Sequence, residues 1–392
     1  MKRLFVIAGE PSGDRLGGAI LAALRDLAPG LEVAGVGGPA MAAAGLSSLF
    51  DINETSVMGF TEVVSRLPTI AVRMRETTAA AVAFRPDALL TIDSPSFSLR
   101  VAARIRRALP RPEGPVTVHY VAPSVWAWRP GRAARMARHT DHVLALLPFE
   151  PPYMRAAGMT CDFVGHPLAG QPVASAAEVA AFRAAHGLGR RPVLLVAPGS
   201  RLGEVRRLGG IFADTIDRLR LDRPDLGVIV PVAETVVPEV TARFPGAVLV
   251  APTVAGAERR AAFGAADVAL LKSGTITVEA AAAGVPQVAA YRASTISAAI
   301  ARRLLRIDTG NLVNLSVGWE SGARPVPEFY QEACTPDRLA GALAPLFADG
   351  PARAAQVEAA GAAMAALGRG GAPPGERAAR SLLAAVAARQ GG

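Results

Sequence analysis

The chain has 392 residues, 51% hydrophobic and 19% charged, which suits two conventional domain cores and excludes a disordered chain. Its formal net charge is +9, carried by 40 arginines and only two lysines, Lys2 and Lys272. No uncharged run reaches the roughly 18 apolar residues of a membrane span, LFVIA is too short for a secretory core, and two distant cysteines form neither a disulfide framework nor a metal-ligand spacing. The expected address is the cytoplasm.

Short β-rich runs alternate with Ala-rich helical stretches, the pattern of βα units on a parallel sheet. Strands are predicted at Leu4–Ala8, Val33–Val36, Ala88–Ile92, Thr117–Val121, Val143–Leu147 and Asp162–Val164, with helices such as Leu16–Leu27 and Ser98–Leu109 between them. A Gly/Pro/Ala-rich loop from about His166 to Ala176 interrupts the series. It restarts with Pro192–Ala197, Gly227–Pro231, Ala247–Val250, Val268–Leu271 and Gln287–Ala290, and helices alone are predicted beyond Pro336. The expected architecture is α/β: two doubly wound, Rossmann-like domains facing across a cleft, with a helical C-terminal tail. Boundaries are expected near 167/168 and 345/346. The tail is open to two arrangements, folding back over the first domain or pairing with a second copy as a homodimer.

In such sheets ligands sit beyond the carboxyl ends of the strands. The first strand runs into Gly9-Glu10-Pro11-Ser12-Gly13-Asp14, a glycine turn with two carboxylates and a serine. That composition suits a polar substrate pocket, or else an N-cap role for Ser12 or Asp14. It is not GxGxxG, so a dinucleotide is not expected. Asp93 ends a buried strand, placed either as a general base for a sugar hydroxyl or as a helix cap. Ser124-Val125-Trp126-Ala127-Trp128-Arg129 follows another strand, with Arg132 and Arg135 one and two turns on. Aromatic bodies beside arginines suit an amphipathic ligand with a phosphate head, or a packed corner. Nine arginines against one acid between Arg100 and Arg138 put nearly all the net charge in this region.

In the second half, Pro198-Gly199-Ser200-Arg201 and Lys272-Ser273-Gly274-Thr275 each join a strand to a helix. Such turns hold a diphosphate through backbone N–H groups, with Arg201 to neutralise the leaving charge and Glu279 placed for ribose hydroxyls. Neither has Walker A spacing. Residues 57–74 put Phe60, Val63, Val64 and Leu67, with Met58 ahead of them, on one helical face. That face either packs into the core or dips into a membrane surface.

The strings AGEPSGDRLGG, VGGPAM, SVMGFTEV, IDSPSF, HYVAPSVWAWRPGR, LPFEPPYM, FVGHPLA, APGSR, KSGTITVEA and NLVN, in that order, closely resemble the lipid-A-disaccharide synthase family. AGEPSGD and SVWAWRPGR are specific to it, whereas PGSR and SGTxxxE are more widespread among nucleotide-sugar transferases. The resemblance covers residues 5 to about 345 and implies a GT-B glycosyltransferase fold. It also implies an inverting, metal-independent reaction in which UDP-2,3-diacylglucosamine donates its sugar to 2,3-diacylglucosamine 1-phosphate (lipid X). By position, the family's general base falls on Asp93; Glu10 and Arg201 are expected to take part in catalysis beside it. Its UDP site falls on Ser200, Arg201, Ser273, Gly274, Thr275 and Glu279, with Asn314 nearby. A lysine before SGT is uncommon in that family, and the resemblance gives Lys272 no role. No cofactor or metal is expected. The acylated substrates imply a peripheral protein on an anionic inner-membrane surface, with Ser12, Asp14, Ser124, Trp126, Trp128, Arg129 and Arg132 around the acceptor and its phosphate. Domain closure would bring the two half-sites together. The nearest rivals are another GT-B enzyme using UDP-N-acetylglucosamine, against which AGEPSGD and SVWAWRPGR argue, and a basic nucleic-acid binder. Only 5% aromatic content and no recognisable motif count against nucleic acid.

Overall fold

The computed structural model describes residues 1–55, 60–251, 256–294, 298 and 303–391, with the side chains of 60–65 and 390 excepted. The chain divides into two units, one formed by residues 1–170 and 370–392 and the other by 171–369. The segment expected as a single tail is therefore split, with 346–369 in the second unit and the remainder in the first.

The first unit is built on a parallel sheet ordered β2-β1-β3-β4-β5-β6. Its strands are β1 (Arg3–Ala8), β2 (Glu32–Val36), β3 (Ala88–Ile92), β4 (Val116–Tyr120), β5 (His142–Ala145) and β6 (Thr160–Phe163). The helices between them are α1 (Pro11–Leu27), α2 (Pro39–Ala43), α3 (Phe60–Phe84), α4 (Ser98–Ala108), α5 (Gly131–Ala137) and α6 (Pro151–Arg155). β3 and β4 are buried along their whole length, which is why they read as unbroken apolar runs. Alternation along β1 splits its side chains between two cores. Leu4, Val6 and Ala8 join Ile20, Leu21 and Leu24 of α1 on one face, while Phe5 and Ile7 join Met74, Val101 and Ile105 on the other.

A C-terminal helix, Pro374–Gln390, completes the first of these cores with Ala378, Ala379, Leu382 and Val386. Gly375 lets it approach α1, since a Cβ there would lie 2.8 Å from the Ala19 carbonyl oxygen. Polar contacts fix its register. Ser381 Oγ lies 2.8 Å from His142 Nε2 and donates to Asp162 at 2.6 Å, and Arg377 donates to the Phe163 carbonyl at 2.8 Å.

The second unit repeats the plan with sheet order β12-β11-β10-β7-β8-β9, again parallel. Its strands are β7 (Val193–Ala197), β8 (Gly227–Pro231), β9 (Val248–Val250), β10 (Val268–Lys272), β11 (Gln287–Tyr291) and β12 (Glu328–Tyr330). Its helices are α7 (Ala176–Ala185), α8 (Leu202–Asp222), α9 (Val237–Arg243), α10 (Gly256–Gly264), α11 (Ile276–Ala282), α12 (Leu312–Gly318), α13 (Pro336–Leu343) and α14 (Pro351–Ala366). Leu194 and Val196 face Leu208, Phe212 and Ile216 of α8; Val193, Leu195 and Ala197 face Phe182 and Phe263. The predicted strands lie within two residues of observed ones at nearly every end. The exception is β12, three partly buried residues after Pro325 and Pro327, too short to show an apolar period.

In each sheet the connections leave on opposite sides at one pair of neighbours, β1 with β3 and β7 with β10. A crevice forms at the carboxyl ends of such a pair. Four of the turns singled out in the sequence leave these strands, and the Ser124–Arg129 turn leaves the neighbouring β4.

Candidate active site

In the first unit, Glu10 stands in extended conformation at the cap position of α1 and Pro11 opens the helix. The glycines around it mark close approaches. A Cβ at Gly9 would lie 2.7 Å from Ser94 Oγ, and one at Gly18 would lie 2.8 Å from the Ala40 carbonyl oxygen. The β1–α1 turn therefore lies directly on the β3–α4 turn, with α2 behind it. Ser12 is exposed on the first turn of α1.

Asp14 requires a correction. Expected to face the acceptor, it is 4% exposed, and its carboxylate accepts from the backbone N–H groups of Gly38 (2.7 Å), Ala40 (2.9 Å) and Met41 (3.0 Å). It caps α2 from another helix; the N-cap expected at its own helix is not made, since Glu10 holds that position without a side-chain cap.

Asp93 and Ser94 both adopt left-handed backbone conformations, with φ of 46° and 43°. Two such residues in succession cost about 1 kcal/mol or more each, and the surroundings must hold them. The Asp93 N–H donates to the Tyr120 carbonyl at 2.9 Å, and Phe97 and Ser98 N–H both donate to the Ser94 carbonyl. Asp93 does not cap α4, whose cap position is Phe97. Its carboxylate is partly exposed and, among the described residues, makes no hydrogen bond or ion pair.

The β4–α5 loop starts beside this turn and contains both tryptophans. Trp126 is a second correction. Its ring is buried edge-on against Phe149 at 5.1 Å and its Nε1 donates to Glu150 Oε1 at 3.2 Å, so it forms a packed corner rather than a ligand surface. Glu150 also accepts from Leu146 and Leu147 N–H, yet burial pushes its carboxyl up to about 7. Trp128 stays partly exposed with the guanidinium carbons of Arg129 and Arg132 at 4.6 and 5.7 Å from its ring. Ser124 and Arg129 are exposed, Arg132 partly so. Burial, then Arg129 and Arg135, lowers the Arg132 pKa from its usual value. His119 beneath the loop is pushed down to about 3 by burial and is neutral, 2.8 Å from Thr91 Oγ1.

The basic segment is smaller than its count suggests. Arg106 and Arg111 both reach Asp141 at 2.5 Å, with Arg389 at 3.7 Å, so that part is structural. Arg100, Arg104, Arg107, Arg135 and Arg138 remain exposed. Met58 lies outside the described residues, as do the side chains of Phe60, Val63 and Val64; Leu67 on α3 is 51% exposed.

In the second unit, Ser200 and Arg201 lead into α8, with Arg201 at the cap position and its side chain 69% exposed. The Ser200 N–H donates to Glu204 Oε2 at 3.1 Å. Across the crevice Ser273 N–H donates to the Ala290 carbonyl, Gly274 turns at φ 155°, and Thr277 Oγ1 closes onto the Gly274 carbonyl at 2.6 Å. Thr275 is exposed at the head of α11. Glu279 is partly exposed and already paired with Arg259 at 2.8 Å.

Asn314 is a third correction, because it is fully buried and its amide is spent on β12. It accepts from Val326 N–H at 2.9 Å, donates to the Val326 carbonyl at 2.9 Å and donates to Glu328 Oε2 at 3.0 Å. Glu328, which sequence reasoning missed, also accepts from Thr309, Tyr330 and Ser273. Tyr330 in turn accepts from Gly310 N–H at 2.7 Å. Glu328 thus ties the Ser273 turn to the loop ahead of α12. The NLVN string marks one partner of this hub; nothing in the sequence marks the hub.

A model of the lipid-A-disaccharide synthetase family matches residues 4–369. The lipid-A-disaccharide synthases of Ruegeria pomeroyi and Rhodospirillum centenum are 52% and 46% identical to this chain, covering 98% of it and 95% of each relative. The chain belongs to the lipid-A-disaccharide synthase family. It is accordingly a glycosyltransferase of lipid A biosynthesis, and the rival readings give way. Solved structures similar in fold include the UDP-GlcNAc 2-epimerase of Neisseria meningitidis bound to UDP-GlcNAc, with TM-score 0.60, 12% identity, and coverage of 99% of this chain and 100% of that one. The glycosyltransferase of kitacinnamycin is another, with TM-score 0.57, 18% identity and 98% of both chains covered. At these identities the likeness is one of fold, the GT-B architecture of two doubly wound units. Asp93 and the serine–glycine turns lie at the two switch points, whereas Asp14 caps α2, Trp126 packs on Phe149 and Asn314 ties to Glu328 beneath the Ser273 turn.

Proposed function

We propose that this glycosyltransferase moves the sugar of UDP-2,3-diacylglucosamine onto the 6-hydroxyl of 2,3-diacylglucosamine 1-phosphate, giving the lipid A disaccharide 1-phosphate and UDP with inversion. Asp93 takes the proton from the hydroxyl as its oxygen attacks the anomeric carbon. The bond to the diphosphate oxygen breaks on the opposite face, and UDP leaves. Glu10, on the adjoining turn, orients the acceptor. Ser12, Ser124, Trp128, Arg129 and Arg132 receive its 1-phosphate, for which guanidinium groups braced on an indole are chemically suited. In the second unit, Ser200, Ser273, Gly274 and Thr275 offer backbone N–H groups to the diphosphate, Arg201 neutralises it, and Glu279 accepts from the ribose. The reaction needs no metal in this scheme.

One observation carries the reading: a carboxylate at the β1/β3 switch point, held on strained backbone and unpaired among the described residues. Strain of this kind concentrates where chemistry requires it. Both substrates are acylated, so the enzyme works at a bilayer surface, served by the exposed arginines and by Leu67.

The test is product formation in detergent micelles containing EDTA, followed by mass spectrometry, with Asp93→Asn alongside. Wild-type disaccharide 1-phosphate and a loss of roughly 10²–10⁴-fold in the variant are expected. An Asp93→Asn enzyme of undiminished rate would remove the base; turnover only with unacylated sugars would remove the substrates.

A further inference from the structure

Lys272 is the last residue of β10, one position past the Leu271–Ala197 pair that ends the ladder with β7, and its ammonium reaches Glu204 on the helix that follows β7, so its side chain stands between the two turns of the second unit. It is one of two lysines in a chain that elsewhere uses arginine. Its ammonium is 3.3 Å from Glu204 Oε1 and 5.4 Å from the centre of the Tyr291 ring, and the side chain is 21% exposed. A Cβ at Gly274 would lie 3.5 Å from Nζ, so the ammonium stands over the glycine of the SGT turn. Glu204 is 11% exposed, and its Oε1 also lies 3.6 Å from Arg201 Nη1. Two cations thus share one carboxylate at the mouth of the crevice, and one positive charge is left over.

We propose that Lys272 is a further binding residue for the donor, contributing a point charge to the diphosphate, with Glu204 and the Tyr291 ring holding it in place. The inference rests on reading the second unit as the UDP-sugar site. An ammonium is compact, with three rotatable donors, whereas a guanidinium presents a planar fork. At a glycine turn with little room, the compact cation follows a diphosphate as charge builds on its leaving oxygen. Glu204 takes the Ser200 N–H with one oxygen and steers Lys272 with the other, so the two turns share an electrostatic anchor.

The experiment is calorimetric titration of the full-length protein with UDP, UMP and uridine. Lys272→Met is expected to weaken UDP binding by about 10- to 100-fold and to leave uridine within about two-fold, because only the diphosphate meets the ammonium. Lys272→Arg should recover part of the UDP affinity. Unchanged UDP affinity, or an equal loss for UDP and uridine, overturns the proposal and leaves Lys272 as a strut for Glu204. A wild-type protein that binds no UDP overturns the donor-site reading, and this inference with it. Should Lys272→Met fail to fold, the double variant Lys272→Met/Glu204→Gln leaves no stranded carboxylate and carries the same comparison.

Discussion

Asp14 and Asp93 lie in the same unit, one in the first turn of the helix after β1 and the other directly after β3, and meet opposite fates. Asp14 gives its carboxylate to three backbone N–H groups, so Asp14→Ala is expected to cost roughly 2–4 kcal/mol in urea denaturation, the price of orphaned donors and a lost cap. Asp93 gives its carboxylate to nothing described, so Asp93→Asn should leave the urea midpoint nearly unmoved while activity collapses. The strand end made Asp93 legible in the sequence. The fate of Asp14 was not legible, because its donors lie 24 to 27 residues on and converge only when α2 packs against α1. Glu150 has a pH signature. Its folded pKa of about 7 lies above the usual 4.5, so the native state holds a proton that the unfolded chain has lost between those values. Its contribution to stability is full below pH 4.5, falls as pH rises toward 7 and is flat beyond, a change on the order of 3 kcal/mol. Subtracting the pH–stability curve of Glu150→Gln from that of the wild type should isolate this slope.

Among the elements, eleven of the twelve observed strands were legible, most plainly those buried on both sides, such as β3, β4, β7 and β8, which advertise themselves by apolar runs. β12 escaped because its value is polar: it brings Glu328 under the Ser273 turn rather than adding to a core. Glu328→Ala would strand the donors of Thr309, Asn314 and Tyr330 together. A loss of about 2–4 kcal/mol is expected by urea denaturation, together with weaker UDP binding, and Glu328→Gln should recover part of each. The other feature hidden from the sequence is the C-terminal helix. Its apolar face is plain enough, but whether it meets its own chain or another depends on Gly375, Ser381 and Arg377 finding partners more than 200 residues upstream.

For the whole molecule, each unit has its own sheet and its own buried clusters. Thermal unfolding followed by calorimetry is therefore expected to show two transitions. UDP should raise only the one belonging to residues 171–369, by about 2.7 kcal/mol at a hundredfold excess over its dissociation constant. Surface attachment belongs to this scale as well. Among the described residues no helix is long and apolar enough to cross a membrane, while exposed arginines and Leu67 lie in the first unit. Co-sedimentation with anionic vesicles that fails with neutral ones, and that weakens as salt rises, is the expected result.

The route of the chain has a consequence for how the protein is made. The first unit begins with residue 3 in β1, yet the core on one face of that strand stays open until residues 374–390 arrive to close it. The second unit is continuous and can finish first. At a synthesis rate of about 5–20 residues per second, roughly 10–40 s pass between the emergence of residue 170 and that of its missing helix. Throughout that interval the part of this core beside α1, β4 and β5 stands uncovered on the nascent chain, a place for a chaperone to wait.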